Sequence, residues 1–435
     1  MKLRPFELTL IVVFVVLILL SLLFLSGYKP KKNNNGLPVI GSVTIWGTIP
    51  KEGIAEEIKN LKAVNDGYAG VVYKEINPDS FDSDLVNAIA DGKGPDVVLV
   101  SHERLVSLRS KIKPISYETF SLRDIKSSFV DGAQVFALDD GLYAYPLMVD
   151  PLMMYWNKNI LTNDNLLEPP KTWESLVNDY LPTLIRRNPD RSITRSVVAM
   201  GEYQNVHNAF GTLSMLLLQA GSEGVVSDID NHYKININQS PDKSAEPLAV
   251  SADFYTRFSK PNNSLYSWNR SFSSDKDRFL SEDLALYFGY GSEAHEIEKQ
   301  NPNLSFDIAE VPQGASATVR RTYGKFYGLA ALKTSDNLTG AFAVMQDFGN
   351  KENSEKIAQL YNMVPVSRTT VSAGSNDVYG HVTYKSAGIA YGWLSPRQEK
   401  INEIFTTMTQ DMNENRRDTR AAVSDAIGRL QLEYN

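Results

Sequence analysis

The pattern of apolar and polar positions changes sharply near residue 40. Before it, Leu8 to Leu25 forms an apolar run in which Thr9 and Ser21 are the only polar residues. A helix rises about 1.5 Å per residue, so this run spans most of the hydrocarbon core of a bilayer. We therefore predict a membrane anchor at residues 1–27, followed by a polar, flexible linker at 28–40.

A retained helix and a cleaved signal peptide both fit an N-terminal apolar run. The apolar core of a signal peptide usually has roughly 7–15 residues, which is shorter than this run, and no convincing cleavage site follows it. The pattern therefore favours retention. Lysine and arginine flank the run on both sides in nearly equal number, so the charge distribution does not decide its orientation.

After residue 40, short buried strands alternate with amphipathic helices. Apolar runs at 43–46, 71–76 and 97–100 predict strands, and the segments between them carry apolar residues at helical spacing. This alternation is typical of βαβ units and a parallel sheet, so we predict an α/β fold. Ligands of such sheets bind at the carboxyl ends of the strands, which are here Trp46-Gly47-Thr48, Ile76-Asn77 and Ser101-His102.

The rest of the chain predicts more helices and a few strands. Asp139-Asp140-Gly141 indicates a hairpin turn. Helices are expected at 173–187, 206–220 and 247–258, and strands at 284–288, 306–311 and 328–332.

Composition narrows the classes of function. The 435 residues are 43% hydrophobic with a net charge of −7, and none is cysteine. The acidic balance argues against nucleic acid as a partner, and the lack of cysteine excludes disulfides and thiolate chemistry. The chain carries no phosphate-binding loop, zinc-protease or serine-hydrolase motif. We therefore expect no enzyme, no cofactor and no metal site.

Several segments, in this order, resemble those of the extracellular solute-binding proteins of ABC importers, the family that includes maltose-binding protein. Gly94-Pro95-Asp96-Val97-Val98 is similar to a strand of that family, and 140–146 is similar to its hairpin. The most specific pair is 150–158, which reads DPLMMYWNK, and 169–176, which reads PPKTWESL. The segment 279–291 is similar to a later strand of the family.

The resemblance covers about residues 41–435 and implies a two-lobed, type II periplasmic-binding-protein-like fold with a hinge between the lobes. By analogy with the family, lobe one comprises 41–143 and 288–327. Lobe two comprises 144–287 and 328–435. The ligand is then expected in the cleft between the lobes, which closes around it.

A sugar pocket needs aromatic faces for the C–H side of the ring and polar groups for the hydroxyls. Asp150 is expected in the cleft as a hydroxyl acceptor. The other candidate ligand contacts are aromatic residues and one acid near predicted cleft positions: Trp46, Trp268, Tyr290, Glu293, Tyr323, Tyr327 and Trp393. For Trp46, a place in the core is an equal alternative.

Two further features are expected to serve structure. Trp173 belongs to a helix start that Thr172 caps, and its indole is expected to pack inside. Arg320-Arg321 could meet an anionic ligand, but a solvated pair at the rim is favoured.

The resemblance implies a receptor that delivers a solute, expected to be a sugar or oligosaccharide, to ABC permease subunits. It also implies a binding domain outside the cytoplasmic membrane, with the N-terminus inside and the lipid bilayer as partner of the anchor. Tyr28 follows Leu25-Ser26-Gly27 where lipoprotein members of such families carry the lipid-accepting cysteine. A tethered sensor for a signalling partner, a non-sugar solute and an enzyme on the same scaffold remain alternatives.

Overall fold

A computed structural model describes residues 40–227 and 233–434. The predicted anchor at 1–27, and all of the predicted linker except Ile40, lie outside these described residues. Within them, no helix combines the length and the apolar character needed to cross a membrane.

The strands alternate with helices through the first part of the chain, as the sequence predicts. In chain order they are β1 (Val43–Gly47), β2 (Val71–Glu75), β3 (Val97–Ser101), β4 (Ala137–Leu138), β5 (Gly141–Leu142), β6 (Tyr145–Asn157), β7 (Arg186–Arg187), β8 (Ile193–Val198), β9 (Val225–Ser227), β10 (Tyr233–Ile235), β11 (Leu284–Tyr290), β12 (Phe306–Ala309), β13 (Thr322–Ala331), β14 (Val364–Pro365) and β15 (Ala390–Tyr391).

The helices lie between these strands and dominate the C-terminal third. They are α1 (Lys51–Val64), α2 (Phe81–Ala90), α3 (Leu105–Leu108), α4 (Leu122–Ser128), α5 (Lys158–Asn163), α6 (Trp173–Ser175), α7 (Leu181–Leu184), α8 (Ala209–Gln219), α9 (Pro247–Arg257), α10 (Asp275–Leu280), α11 (Ala294–Gln300), α12 (Leu338–Phe348), α13 (Lys351–Leu360), α14 (Arg368–Ala373), α15 (Gly380–Gly388), α16 (Gln398–Asn413) and α17 (Thr419–Glu433).

Lobe one is built on a parallel sheet in the order β2-β1-β3. Every residue of β3 is buried, which is the pattern of a strand covered on both faces. On one face, Ile54 and Ile58 of α1 share a core with Val344 of α12 and Ile357 of α13. The parallel order brings the carboxyl ends of these strands to one edge of the sheet.

Two long strands run from lobe one into lobe two. The first part of β6 pairs with β13, and its last residues pair with β11 and β12. The strand β13 pairs with β3 through Tyr327 to Ala331, whereas its first residues pair with β15. Asp150 and Lys325 are register partners where the two crossing strands pass between the lobes. These strands connect the two lobes.

Lobe two is built on the sheet of β6, β11, β8 and β7, covered by helices that include α8, α9, α16 and α17. In α8 the run from Ala209 to Leu217 is buried all round, as expected for a helix enclosed in a core. The predicted helices at 206–220 and 247–258 are confirmed, with slightly shorter bounds. The predicted strand at 328–332 is instead the end of the longer β13.

The second segments of both predicted lobes need correction. Residues 294–309, expected in lobe one, form α11 and β12, and β12 pairs with β6 at Asn157 in the lobe-two sheet. The helices α12 and α13, expected in lobe two, pack on α1 of lobe one. There, Tyr361 donates a hydrogen bond to the carbonyl of Pro50, and Tyr68 donates one to Asp347. The chain thus returns to lobe one through β13, later than the family analogy suggested.

Candidate functional site

A cavity of about 400 Å³ opens between the two lobes beside the crossing strands. Lobe one contributes Glu103, the crossing strand β13 contributes Lys325, and lobe two contributes the remaining wall. The residues around it are Glu103, Tyr203, Gln204, Val206, His207, Asn208, Ala209, Phe210, Gly211, Tyr290, Lys325, Gln398, Asn402 and Thr406. This size falls within the range of small-molecule binding pockets.

Glu103 and Lys325 form the charged centre of this cavity. Glu103 lies in the turn that follows β3, at the sheet edge where the topology places ligands. Its Oε2 is 3.6 Å from Lys325 Nζ, and its Oε1 accepts a hydrogen bond of 2.6 Å from the hydroxyl of Tyr323. The Glu103 side chain is only 9% exposed, whereas that of Lys325 is 28% exposed. The ammonium is therefore the more accessible partner of the pair.

The pair stays charged at neutral pH. Burial alone would raise the pKa of Glu103, but the neighbouring Lys325 ammonium and the hydrogen bond from Tyr323 hold it below its usual range. Burial would lower the pKa of Lys325, but the Glu103 carboxylate raises it well above its usual value. The cavity thus presents one fixed acceptor next to one fixed donor.

Tyr290 supplies an aromatic face next to this pair. It ends β11, and Lys325 Nζ lies 4.8 Å from the centre of its ring. Its carbonyl accepts a hydrogen bond of 2.5 Å from the Tyr155 hydroxyl, which fixes the backbone. A Cβ atom at Gly211 would lie 2.9 Å from the Tyr290 hydroxyl, so the first turn of α8 approaches this ring closely because residue 211 has no side chain.

The loop before α8 forms the lobe-two wall of the cavity. In it, Tyr203 donates a hydrogen bond of 2.9 Å to Asn402 of α16. Behind it, Asn205 accepts a hydrogen bond of 2.9 Å from the indole nitrogen of Trp268. Trp268 itself is completely buried. Trp268 therefore supports the wall from behind, and its side chain has no surface on which a ligand could stack.

Asp150 and Glu293 lie next to the cavity but bind protein groups. Both oxygens of Asp150 accept hydrogen bonds from Ser292, one from the backbone N–H at 3.0 Å and one from the hydroxyl at 2.5 Å. Burial raises the pKa of Asp150 to about 7, although the hydrogen bonds from Ser292 act to lower it. Glu293 accepts hydrogen bonds from the Tyr290 backbone, from Tyr287 and from Asn208. Both acids hold the segment that carries Tyr290.

The other predicted contacts lie outside the residues that line the cavity. Trp46 is 7% exposed, with Lys74 Nζ 4.6 Å above its ring. Tyr323 is fully buried behind the cavity, where it donates a hydrogen bond to Glu103 and its ring packs on Phe210. Tyr327 is partly buried in the register position opposite Met148.

Trp393 is 3% exposed and donates a hydrogen bond of 3.0 Å to Ser214 of α8. Its ring also packs on Phe210, one of the cavity residues. Of the eight residues expected to contact the ligand, Tyr290 alone is among those that line this cavity.

The residues expected to serve structure lie as predicted. Thr172 accepts a hydrogen bond of 3.1 Å from the backbone of Ser175, so it caps the helix start. Trp173 is buried and donates a hydrogen bond to Gln219. Arg320 pairs with Glu310 at the surface, and Arg321 stacks on the ring of Tyr391 at 3.9 Å.

The sequence reasoning missed Glu103, Lys325 and Tyr203. A signal existed for two of them. Glu103 directly follows Ser101-His102, a strand end that was already expected to face the ligand. Lys325 alternates with Tyr323 and Tyr327, so a strand through this segment places all three on one face. Tyr203 lies in a loop, where no periodic pattern predicts the direction of a side chain.

The chemistry of the cavity is that of binding. A carboxylate, an ammonium group and aromatic rings can hold a polar solute by hydrogen bonds and by contact with its apolar face. In the described part of the chain, no group of three or more His, Asp or Glu side chains could hold a metal ion.

Solved structures with the same architecture cover nearly the whole chain. A cyclo/maltodextrin-binding protein in complex with maltotetraose is 15% identical, with a TM-score of 0.71 over 90% of this chain and 96% of the other. The sugar-binding protein MalE from Xanthomonas citri is 16% identical, with a TM-score of 0.71 over 90% and 97%. The Thermus thermophilus maltotriose-binding protein is 15% identical, with a TM-score of 0.63 over 91% and 100%. At this identity, the likeness establishes the two-lobed fold.

A family model described as bacterial extracellular solute-binding protein matches residues 58–382, about three quarters of the chain. This family and the similar structures are binding proteins and not enzymes. The match covers β2, β3, both crossing strands, Glu103, Tyr290 and Lys325. The chain therefore belongs to the bacterial extracellular solute-binding proteins.

Proposed function

We propose that this protein captures a sugar or oligosaccharide in the cavity between its lobes and delivers it to the permease of an ABC importer. The proposal rests on one observation, which is that the Glu103–Lys325 pair lies beside the face of the Tyr290 ring. A pyranose ring has hydroxyls around its edge and C–H groups on its faces. It therefore needs a donor, an acceptor and a flat apolar surface at one place.

The contacts within the cavity suit a neutral polyhydroxylated ligand. Glu103 and Lys325 carry opposite charges 3.6 Å apart, so they cancel each other at longer range. Each can still reach an adjacent hydroxyl, the carboxylate as acceptor and the ammonium as donor. The names of the similar structures, with bound maltotetraose and maltotriose, support the same class of ligand.

Calorimetry tests the ligand class. Maltotetraose, maltotriose and tagatose should be titrated into the protein, with phosphate and a mixture of amino acids as non-sugar probes. We expect saturable binding of at least one sugar and no heat from the other probes. Binding of phosphate or an amino acid without any sugar would overturn the proposal.

Variants connect that binding to the cavity. Tyr290→Ala should weaken sugar binding at least tenfold because the aromatic face is lost. Tyr266→Ala is a matched control, since Tyr266 lies outside the cavity, and it should bind as the wild type does. Equal affinity of all three proteins would mean that the sugar binds elsewhere.

We further propose that the predicted anchor at residues 1–27, with its apolar run at 8–25, tethers this binding protein to the outer face of the cytoplasmic membrane. The support is the length of the run and the tyrosine at position 28, which cannot accept a lipid as cysteine does. Mass spectrometry of membrane-extracted protein should find Met1 or Lys2 at the N-terminus. A mature N-terminus near Tyr28 would show that the run is a cleaved signal.

A further inference from the structure

A second contact between the lobes lies beside the cavity, where Gly392 of lobe two meets the ring of His102 of lobe one. A Cβ atom built on Gly392 would fall 2.7 Å from His102 Cε1 and 2.8 Å from Cδ2, with Nε2 closer still. Real Cβ atoms essentially never come within 3.0 Å of another heavy atom. The two lobes meet here because residue 392 has no side chain.

The His102 ring has no room to move away. It is completely buried, and its Nδ1 accepts a hydrogen bond of 3.2 Å from the backbone N–H of Phe326 on the crossing strand. Its other nitrogen lies 3.4 Å from the Tyr323 hydroxyl. The rings of Tyr323 and Phe326 pack on it with centroids 5.9 and 6.0 Å away. A methyl group at 392 could therefore be accommodated only by a shift of the segment that carries it, and not by the His102 ring.

A second glycine, on the lobe-one side, also allows the segment around Gly392 to approach lobe one closely. Gly132 lies in lobe one, in the turn Asp131–Phe136, and a Cβ atom there would collide with the carbonyl oxygen of Ala390. Next to it, the hydroxyl of Tyr391 donates a hydrogen bond of 3.2 Å to Asp131. The segment 390–392 thus packs against lobe one through two positions that lack a side chain.

We propose that the contact between Gly392 and His102 is the stop at which lobe closure ends, and that residue 392 must be glycine for the closed cleft to form. The proposal rests on the proposed function only in taking this cleft as the ligand site. A methyl group at 392 would keep the lobes apart by rotating them about the crossing strands. Ligand contacts that need both Glu103 and Tyr290 would then be lost together.

Closure can be followed without a ligand, because the chain has no cysteine and two can be introduced for labelling. Val86 of lobe one and Arg397 of lobe two line one cavity, so Val86→Cys and Arg397→Cys place one thiol on each lobe beside it. The rate at which a short bis-maleimide links them reports how often the lobes close. This cysteine pair is the background for every variant.

Gly392→Ala should slow cross-linking at least tenfold. When His102→Ala is added to Gly392→Ala, cross-linking should be as fast as in the variant that carries His102→Ala alone. Gly428→Ala is the matched control, because a Cβ atom there meets nothing within 4 Å, and it should leave the rate unchanged. Thermal unfolding should confirm that each variant is folded.

A wild-type rate for Gly392→Ala would overturn the proposal. A slow rate that His102→Ala does not restore would overturn it too, because the effect would not pass through that ring. If Gly392→Ala does not fold, the double variant decides, and it must link as fast as His102→Ala alone. Absence of sugar binding would refute the proposed function and leave this result intact.

Discussion

The wall of the cavity and the layer behind it contain similar types of residue, but the two layers differ in how their side chains are bound and exposed. The wall consists of Glu103, Tyr203, Tyr290 and Lys325, and the supporting layer consists of Asp150, Trp268, Ser292 and Glu293. Each layer contains at least one acid and at least one aromatic side chain. The side chains of the supporting layer are committed to protein partners, whereas Lys325 of the wall remains 28% exposed.

The two acids Asp150 and Glu103 show what this difference means. Asp150 lies on a crossing strand at the base of the cleft, yet both of its oxygens bind Ser292. Burial raises its pKa to about 7, whereas the Lys325 ammonium keeps the pKa of Glu103 below its usual range despite burial. Proximity to a cleft therefore does not identify a ligand contact, and the partner of each polar atom has to be known.

The largest expected effect is a loss of stability in the supporting layer. Trp268→Ala removes a completely buried indole and leaves a cavity, which should lower the free energy of unfolding by about 3–5 kcal/mol. Urea unfolding measures this loss. Leu432→Ala is the control, because Leu432 is 73% exposed and should cost little.

At a temperature where Trp268→Ala is folded, its sugar affinity should stay within a few-fold of the wild type. A loss of affinity as large as that of a wall variant, without a loss of stability, would move Trp268 into the wall and break the distinction between the layers.

The next effect is a loss of affinity in the wall. Lys325→Met removes a charged donor and should weaken sugar binding by about 1.5–3 kcal/mol, the range for a hydrogen bond to a charged group. It should also lower stability, because the Glu103 carboxylate is left buried without its cation. Calorimetry and urea unfolding separate the two effects.

Adding Glu103→Gln to Lys325→Met should recover the stability and not the affinity. Lys59→Met, an exposed position on α1, is the control for loss of a lysine. If Lys325→Met bound sugar as tightly as the wild type, the ammonium would belong to the supporting layer.

The last effect is a pH dependence of stability, which is the smallest of the three when it is measured over a single pH unit. The pKa of Asp150 is raised by burial to about 7, so the folded protein binds a proton more tightly there than the unfolded chain does. Its contribution to stability is complete below the unfolded pKa of about 4 and is lost as the pH rises through about 7. In that window one such group changes the free energy of unfolding by about 1.4 kcal/mol per pH unit.

Asp150→Asn should make the decline of stability between pH 4 and pH 7 shallower, as measured by urea unfolding at several pH values. Asp275→Asn is the matched comparison, because burial also raises the pKa of Asp275, at the start of α10, to about 7. An unchanged slope in Asp150→Asn would mean that this carboxyl is ionised in the folded protein throughout the range.

The fold was predictable in type from local patterns. Buried runs at β1, β2 and β3 alternate with amphipathic helices, and that alternation indicates a parallel sheet without any knowledge of distant contacts. The course of the chain between lobes was not predictable in this way. The lobe to which β12 and α12 belong depends on the distant elements that they pack against. The apolar residues of β12 and α12 would fit the core of either lobe, so their sequences do not show which lobe they join.

The site was predictable only in outline. Tyr290 ends β11 and lines the cavity, and the resemblance to the family had placed it among the candidates. Trp268 was misjudged because it lies in a polar loop that suggests exposure, whereas packing behind Asn205 buries it. Lys325 was not predicted, although it alternates with Tyr323 and Tyr327, because a charge within a strand is usually solvated and the sequence does not show its pairing with Glu103.

The proposed function depends most on the ligand binding in the cavity between Glu103, Lys325 and Tyr290. A crystal structure of the protein with bound maltotetraose, or with whichever sugar calorimetry identifies, tests it directly. We predict sugar hydroxyls within about 3 Å of Lys325 Nζ and of the Glu103 carboxylate, with the Tyr290 ring against a pyranose face. A sugar that occupies another part of the molecule, with this cavity filled only by water, would contradict the account.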